Sequence, residues 1–264
     1  MATYRDLTQK VVLIVGGGAG IGKSAALAFA HAGSKVVVAD INPGSVHQTV
    51  TEIKTSHPQA QTLAVTADIS QATEADAMVQ KAVAEYGRVD VAVNSAAIPA
   101  AIAPIAELDE SHWAQLLGVN LTGMAWCLKY QLRQMIQQQK DKSDGQPSII
   151  NLASAAGLKA QAFQAAYSTA KHGVIGLTKV AALENGVHGI RVNALAPGAT
   201  STDFLRQTLT RMGTCEAEVG PHVGLFGRVA SSEEIMQAVL WLASDVSSYV
   251  TGVTLPVDAG FTLQ

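Results

Sequence analysis

The 264-residue sequence predicts a doubly wound α/β fold, a parallel sheet with helices on both faces. Three observations carry that prediction. Short β-branched apolar runs alternate with longer helical segments along nearly the whole chain. The runs are continuously apolar, as strands covered on both faces must be. The first run leads straight into a glycine cluster that opens a helix, the arrangement of a nucleotide-binding turn.

The elements follow in order. KVVLIV (10–15) reads as a buried strand, and KSAALAFAHAG after the glycines as a helix closed by Gly33. KVVVAD (35–40) is a second strand, and 45–56 is helical, with Pro58 just beyond. TLAVTAD (62–68) is the third strand, and residues 72–86 form an amphipathic helix stopped by Gly87. VDVAVN (89–94) is the fourth. Residues 111–139 suit two helices divided near Gly118, and KDKSDGQP (140–147) suits a loop. SIINLA (148–153) is strand five, a long helix runs from near Gln161 to about Gly186, and GIRVNALAP (189–197) is strand six. Residues 198–230 have weak periodicity, which suits a functional loop or lid. A helix over 232–243 and a last strand in VTLPVDAG close the chain. No linker or repeat interrupts the pattern, so residues 1–264 read as one domain with a lid at about 198–224.

Composition narrows the function. The chain is 48% hydrophobic, enough for a large core, and carries a net charge of −3 with no Lys/Arg run. Nucleic acid and anionic membrane are therefore not expected partners. Cys127, Cys215 and seven scattered histidines lack ligand spacing, so no metal is expected. Trp113, Trp126 and Trp241 read as packing residues. The apolar run from Val11 to Gly22 is too short and glycine-rich to span a bilayer, and no signal-peptide pattern precedes it. A cytoplasmic location is the expectation.

Two constellations carry chemistry. Gly16, Gly20 and Gly22 follow strand one in a G-x-x-x-G-x-G spacing, which permits a tight turn and close approach of a pyrophosphate to a helix N-terminus. Asp40 ends strand two, where a carboxylate accepts hydrogen bonds from ribose hydroxyls and repels a 2′-phosphate. That favours NAD over NADP, with Lys23 the nearest cation in sequence. In the second constellation, Tyr167 and Lys171 lie at i, i+4, one turn apart on a helix, and Ser154 closes a strand upstream. Tyr-x-x-x-Lys alone is common in helices. A fixed ammonium near a phenol lowers its pKa toward neutrality, which suits proton exchange with an alcohol or ketone.

With these residues in place, the chain resembles the short-chain dehydrogenase/reductase family over nearly its whole length. The signs are GGGAGIG, Asp68, NSAA at 94–97, Asn120, Ser154, YSTAK at 167–171, PGATST at 197–202 and the tail DVSSYVTGVTLPVDAG. The resemblance implies a Rossmann-type seven-stranded sheet of order 3-2-1-4-5-6-7. It implies Asn120, Ser154, Tyr167 and Lys171 as the catalytic set, with Tyr167 as acid/base and the Asn120 carbonyl holding a water. It places the cofactor on Gly16, Gly18, Gly20, Ile21, Gly22, Asp40, Ile41, Asp68, Ile69, Asn94, Ala96, Tyr167, Lys171, Pro197, Gly198, Thr200 and Thr202. Asp68 would contact the adenine, and Asn94 would lie beside the adenosine ribose. Three residues depart from the family's pattern: Val15 and Ser95, where side chains ordinarily tie two segments together, and Ala97 in place of glycine.

The expected reaction is NAD-dependent interconversion of a secondary alcohol and its ketone. An NADP-dependent biosynthetic ketoreductase and a non-catalytic NAD-binding regulator are the alternatives. Substrate-binding residues are expected at Ser154, Ala156, Phe163, Tyr167 and Phe204. The lid adds Leu205, Leu209, Met212 and Val219, and Ala155, Leu158, Ile98 and Pro99 add walls. This suits a neutral, mostly apolar, medium-sized cyclic or aliphatic substrate. An anion would fit only if Arg206 and Arg211 turned inward. Leu121, Met124, Leu128, Val174, Leu177 and Val180 suggest apolar helix faces that exceed one sheet, and a homotetramer is expected.

Overall fold

The computed structural model describes residues 4–141 and 145–264; residues 142–144 of the expected loop lie outside the described residues. Seven strands form one sheet: β1 (Val11–Val15), β2 (Lys35–Asp40), β3 (Thr62–Thr66), β4 (Val91–Asn94), β5 (Ser148–Leu152), β6 (Arg191–Pro197) and β7 (Thr254–Val257). Their order is β3-β2-β1-β4-β5-β6-β7, every neighbouring pair is parallel, and the expected Rossmann-type topology is thereby met. The chain steps outward from β1 to β3 and returns to β4. A crevice therefore opens beyond the carboxyl ends of β1 and β4, where such sheets hold ligands.

Alternate strand residues feed two cores. Val12, Ile14, Val36, Val38, Val91 and Val93 face α1 (Gly20–His31), α2 (Pro43–Ser56) and α9 (Ser232–Ala243). Leu13, Val15, Val37, Ala39 and Ala92 face α3 (Ala72–Tyr86), α5 (Met124–Gln138) and α6 (Ala165–Asn185). Burial of apolar side chains on both faces explains why the strands read as unbroken apolar runs.

Three expectations need correction. Residues 110–138 are not divided near Gly118: α4 (Glu110–Leu117) passes through a π-helical turn, Gly118–Gly123, into α5. Gly118 has helical φ −55° and ψ −43°, so it does not break the rod. The long helix α6 starts at Ala165, not Gln161. Phe163 sits at φ +66°, a left-handed conformation that a helix cannot include. The lid is more regular than its weak periodicity suggested, with α7 (Asp203–Arg211) capped by the Thr202 hydroxyl, followed by α8 (Glu216–Val219).

The surplus apolar faces are also smaller than expected. Met124, Leu128 and Val174 are buried within the chain, and Leu121 and Leu177 pack against the same core. Val180 is half exposed, and Leu183 and Val187 beyond it are largely exposed.

Candidate active site

The crevice holds a cavity of about 490 Å³ that runs from the end of β2, past the β1–α1 turn, to the first turns of α6 and α7. The β1–α1 turn is shaped by close backbone packing. Gly16 has φ +81°, and a Cβ there would lie 2.5 Å from the Ala96 nitrogen. A Cβ on Gly22 would lie 2.0 Å from the Gly16 oxygen. Only glycine fits either place. The N-cap of α1 is Ala19, which has no capping side chain. The first N–H groups of the helix are thus not claimed by its N-cap side chain, and Ala19, Gly20 and Ile21 line the cavity.

Asp40 lines the other end of the cavity. Its carboxylate accepts the Gly18 N–H at 3.0 Å and the Asn42 N–H at 3.1 Å, which fixes its direction. Lys23 does not counter it: its ammonium is paired with Glu52 at 2.7 Å. Ile41, Asp68 and Ile69 complete this end with Gly20 and Ile21.

The middle of the expected cofactor surface is rearranged. Asn94 is buried and turned inward, donating to Gln131 and Asn151, both at 2.9 Å. Gln131 donates back at 2.7 Å, and Asn151 continues to Thr178. The Asn94 side chain is therefore spent inside the protein and not at a ribose; Ser95, Ala96 and Ala97 line the cavity instead. Gly18 and Gly22 shape the turn from behind, without lining it. The Val15 and Ser95 departures are bridged by backbone, since the Ser95 N–H donates to the Val15 carbonyl at 2.8 Å.

At the inner end, β5 delivers Ser154 and α6 delivers Tyr167 and Lys171, and all three line the cavity. The Ser154 hydroxyl stands beside the phenol and accepts the Ala156 N–H at 3.1 Å. Lys171 is buried, donates to the Leu152 carbonyl at 2.7 Å, and stands 5.6 Å from the centre of the Tyr167 ring. Asn120 does not line the cavity. In the π turn, its amide exchanges two hydrogen bonds with the Ile98 backbone, at 2.8 and 2.9 Å, and so braces the cavity wall. Local widening of this kind recurs at functional sites.

The electrostatics depart from the expectation that Lys171 lowers the phenol. Burial pushes Tyr167 up to about 12, opposed by its bond to Ser154. Burial also pushes Lys171 down to about 8. Desolvation thus sets both directions, and at neutral pH the phenol keeps its proton.

Of the other expected substrate residues, Phe204 lies on the cavity wall with its ring 5.8 Å from that of Tyr167. Ala156 is fully buried away from the cavity, and Phe163 is exposed on the outside. The arginines turn elsewhere. Arg206 pairs with Asp203 at 2.7 Å, and Arg211 donates to the Ala100 carbonyl at 2.9 Å, tying α7 to the opposite wall. Residues not foreseen are Gln161, Gln164, Ala100, Val223 and Phe261. The glutamines lie three and six residues before Tyr167, a spacing that pointed to the same side of the chain.

A family model described as enoyl-(acyl carrier protein) reductase matches residues 16–262. A short chain dehydrogenase/reductase, astE, of Aspergillus oryzae is 46% identical over 98% of this chain and 97% of its own length. The chain belongs to the short-chain dehydrogenase/reductase family. It is also 38% identical to a 2,5-dichloro-2,5-cyclohexadiene-1,4-diol dehydrogenase of Sphingobium indicum, over 97% of this chain and 98% of the relative. The crystal structure of levodione reductase superimposes with a TM-score of 0.89 at 31% identity, over 97% of this chain and 98% of that one. The protein is an oxidoreductase of this family. The glycine turn, the uncapped α1 and the Asp40 carboxylate fit a nicotinamide dinucleotide, with its pyrophosphate at α1 and its adenosine ribose at Asp40.

Proposed function

We propose that the protein is an NAD-dependent dehydrogenase/reductase that interconverts a cyclic secondary alcohol and its ketone. The convergence of Ser154, Tyr167 and Lys171 at one end of a cavity whose other end is marked by Asp40 carries this reading. The carboxylate, with Lys23 already paired, supports NAD over NADP. The apolar wall of Ile98, Ala100, Phe204, Leu209 and Met212, and arginines committed elsewhere, support a neutral ring over a phosphate or polycarboxylate. The relatives named for cyclic diols and diketones point the same way.

The bound nicotinamide supplies hydride transfer. Tyr167 gives its phenolic proton to the ketone oxygen in reduction and recovers it in oxidation. With the phenol pushed up to about 12, Tyr167 stands ready as the acid at neutral pH. Ser154 holds the same substrate oxygen through its hydroxyl. Lys171 orients the phenol from beneath and reaches toward the nicotinamide ribose. Asn120 keeps the Ile98 wall in place, and its carbonyl, in the widened turn, is assigned the relay water. We also assign one domain over 1–264, a homotetrameric state and a cytoplasmic location.

The test is a rate panel with NADH and NADPH on cyclohexanone-type ketones, hydroxyacyl or ketoacyl thioesters and sugar phosphates. NADH-linked turnover of ring ketones is expected. Turnover confined to the charged substrates, or with NADPH alone, would overturn the reading.

A further inference from the structure

The substrate end of the cavity carries a second polar point, separate from Ser154 and Tyr167. Gln161 and Gln164 both line it, beside the apolar wall of Phe204 and Leu209. The Gln164 amide nitrogen donates to the Gln161 carbonyl at 3.0 Å. The Gln161 backbone is held by the Ser168 hydroxyl at 3.3 Å. Between the two glutamines Phe163 takes φ +66°, a costly conformation for an aromatic residue, and the Ala103 N–H secures its carbonyl at 3.1 Å. The turn thus exposes the aromatic side chain and keeps two amides at the cavity.

Each amide has one end spent on the other and one end without a partner among the described residues. The remaining pair is one NH₂ donor and one carbonyl acceptor. If both amides were turned over, the same complement would remain. A donor beside an acceptor matches a neutral hydroxyl, which both accepts and donates, or a ring carbonyl that takes the NH₂. It does not match a carboxylate or phosphate, which offers only acceptors to the glutamine carbonyl. Gln164 is the N-cap of α6, three residues before Tyr167, and both glutamines line the same cavity as the phenol.

We propose that Gln161 and Gln164 form a subsite for a second, non-reacting oxygen, so that the substrate is a ring bearing two neutral oxygens, such as a hydroxyketone, diol or diketone. This rests on the ring-ketone reading above. Both amides are only half-buried, so a substrate without that oxygen would cover their free ends and strip them of water without replacing it, which converts polar pairing into selectivity.

The experiment compares kcat/KM for 4-hydroxycyclohexanone and cyclohexanone with NADH, in the parent and in Gln161→Leu and Gln164→Leu. The parent is expected to favour the hydroxyketone by about tenfold or more, the yield of one hydrogen bond. In each variant the ratio should fall toward one, mainly through KM, with NADH binding intact by fluorescence titration. A parent ratio near one, or a ratio unchanged in both variants, would overturn the subsite while leaving the ring-ketone reading standing. Variants that lose both ketones in proportion would show a structural role and also overturn it. A parent that turns over neither ketone but binds NADH would defeat the ring-ketone reading, and this one with it.

Discussion

The Lys171 ammonium lies 5.6 Å from the centre of the Tyr167 ring and donates to the Leu152 carbonyl at 2.7 Å. Lys171 is buried and Tyr167 partly so, and desolvation moves them in opposite directions: Tyr167 up to about 12 and Lys171 down to about 8. At neutral pH the phenol and the ammonium are therefore both protonated, because desolvation disfavours the phenolate.

Stability should record this burial. Between pH of about 8 and 10.5, unfolded Lys171 holds a proton that the folded residue lacks, so stability rises with pH across that window. The full gain is on the order of 3 kcal/mol. Between 10 and about 12 the folded Tyr167 keeps a proton that the unfolded one has lost, so its contribution falls as pH rises. Denaturant unfolding of the cofactor-free protein at pH 8 and 10 should show a gain in the parent that Lys171→Met lacks. Equal pH dependence in both proteins would contradict the burial argument.

Cofactor choice should follow Asp40. Asp40→Ala should lower the kcat/KM ratio of NADH to NADPH by about ten- to hundredfold, the worth of charge-assisted hydrogen bonds to a ribose plus the lost repulsion of a phosphate. Steady-state rates with both cofactors check this. A parent that prefers NADPH would remove the ground for it.

Asn94 should behave as a core residue. Asn94→Ala leaves the Gln131 amide and the Asn151 side-chain oxygen unpaired, and should cost about 1–3 kcal/mol of stability. Thermal unfolding would show the loss, while the NADH dissociation constant of the folded fraction should change little. A large loss of affinity without destabilisation would return Asn94 to the cofactor surface.

Association should depend on the end of α6. Leu183 near the end of α6 and Val187 just beyond it are 83% and 85% exposed, neighbouring apolar surface that a second copy would cover. Light scattering at micromolar concentration should give the mass of four chains. A monomer would contradict the homotetramer.

Much of this fold was readable because both faces of the sheet are covered. Strands such as VVLIV and KVVVAD then carry an unbroken apolar signal, and Gly16 and Asp40 are placed by the strands they end. Ser154, Tyr167 and Lys171 were readable as one group because a strand end and an i, i+4 pair on the next long helix converge on the same cavity. The π turn at 118–123 was not, since Gly118 is a permissive residue in helical geometry and leaves no compositional mark. The inward turn of the Asn94 amide was not readable, because strand position gives a face but not a partner; Gln131 and Asn151, 37 and 57 residues away, draw it in. Phe163 was assigned to the substrate, but its left-handed backbone turns the ring outward and the flanking glutamines in. No local pattern announced that reversal. The phenol's direction was missed because charge proximity is visible in a spacing while desolvation is not.

The central claim is that Tyr167 carries the proton, and Tyr167→Phe tests it most directly. The ring volume is kept and only the hydroxyl is lost, so folding and NADH binding should stay near those of the parent. NADH-linked reduction of a cyclohexanone-type ketone, measured at neutral pH with saturating cofactor, should fall at least about a hundredfold, the lower range for a positioned acid. Retention of more than a few per cent of parent turnover, with NADH still bound, would contradict the assignment.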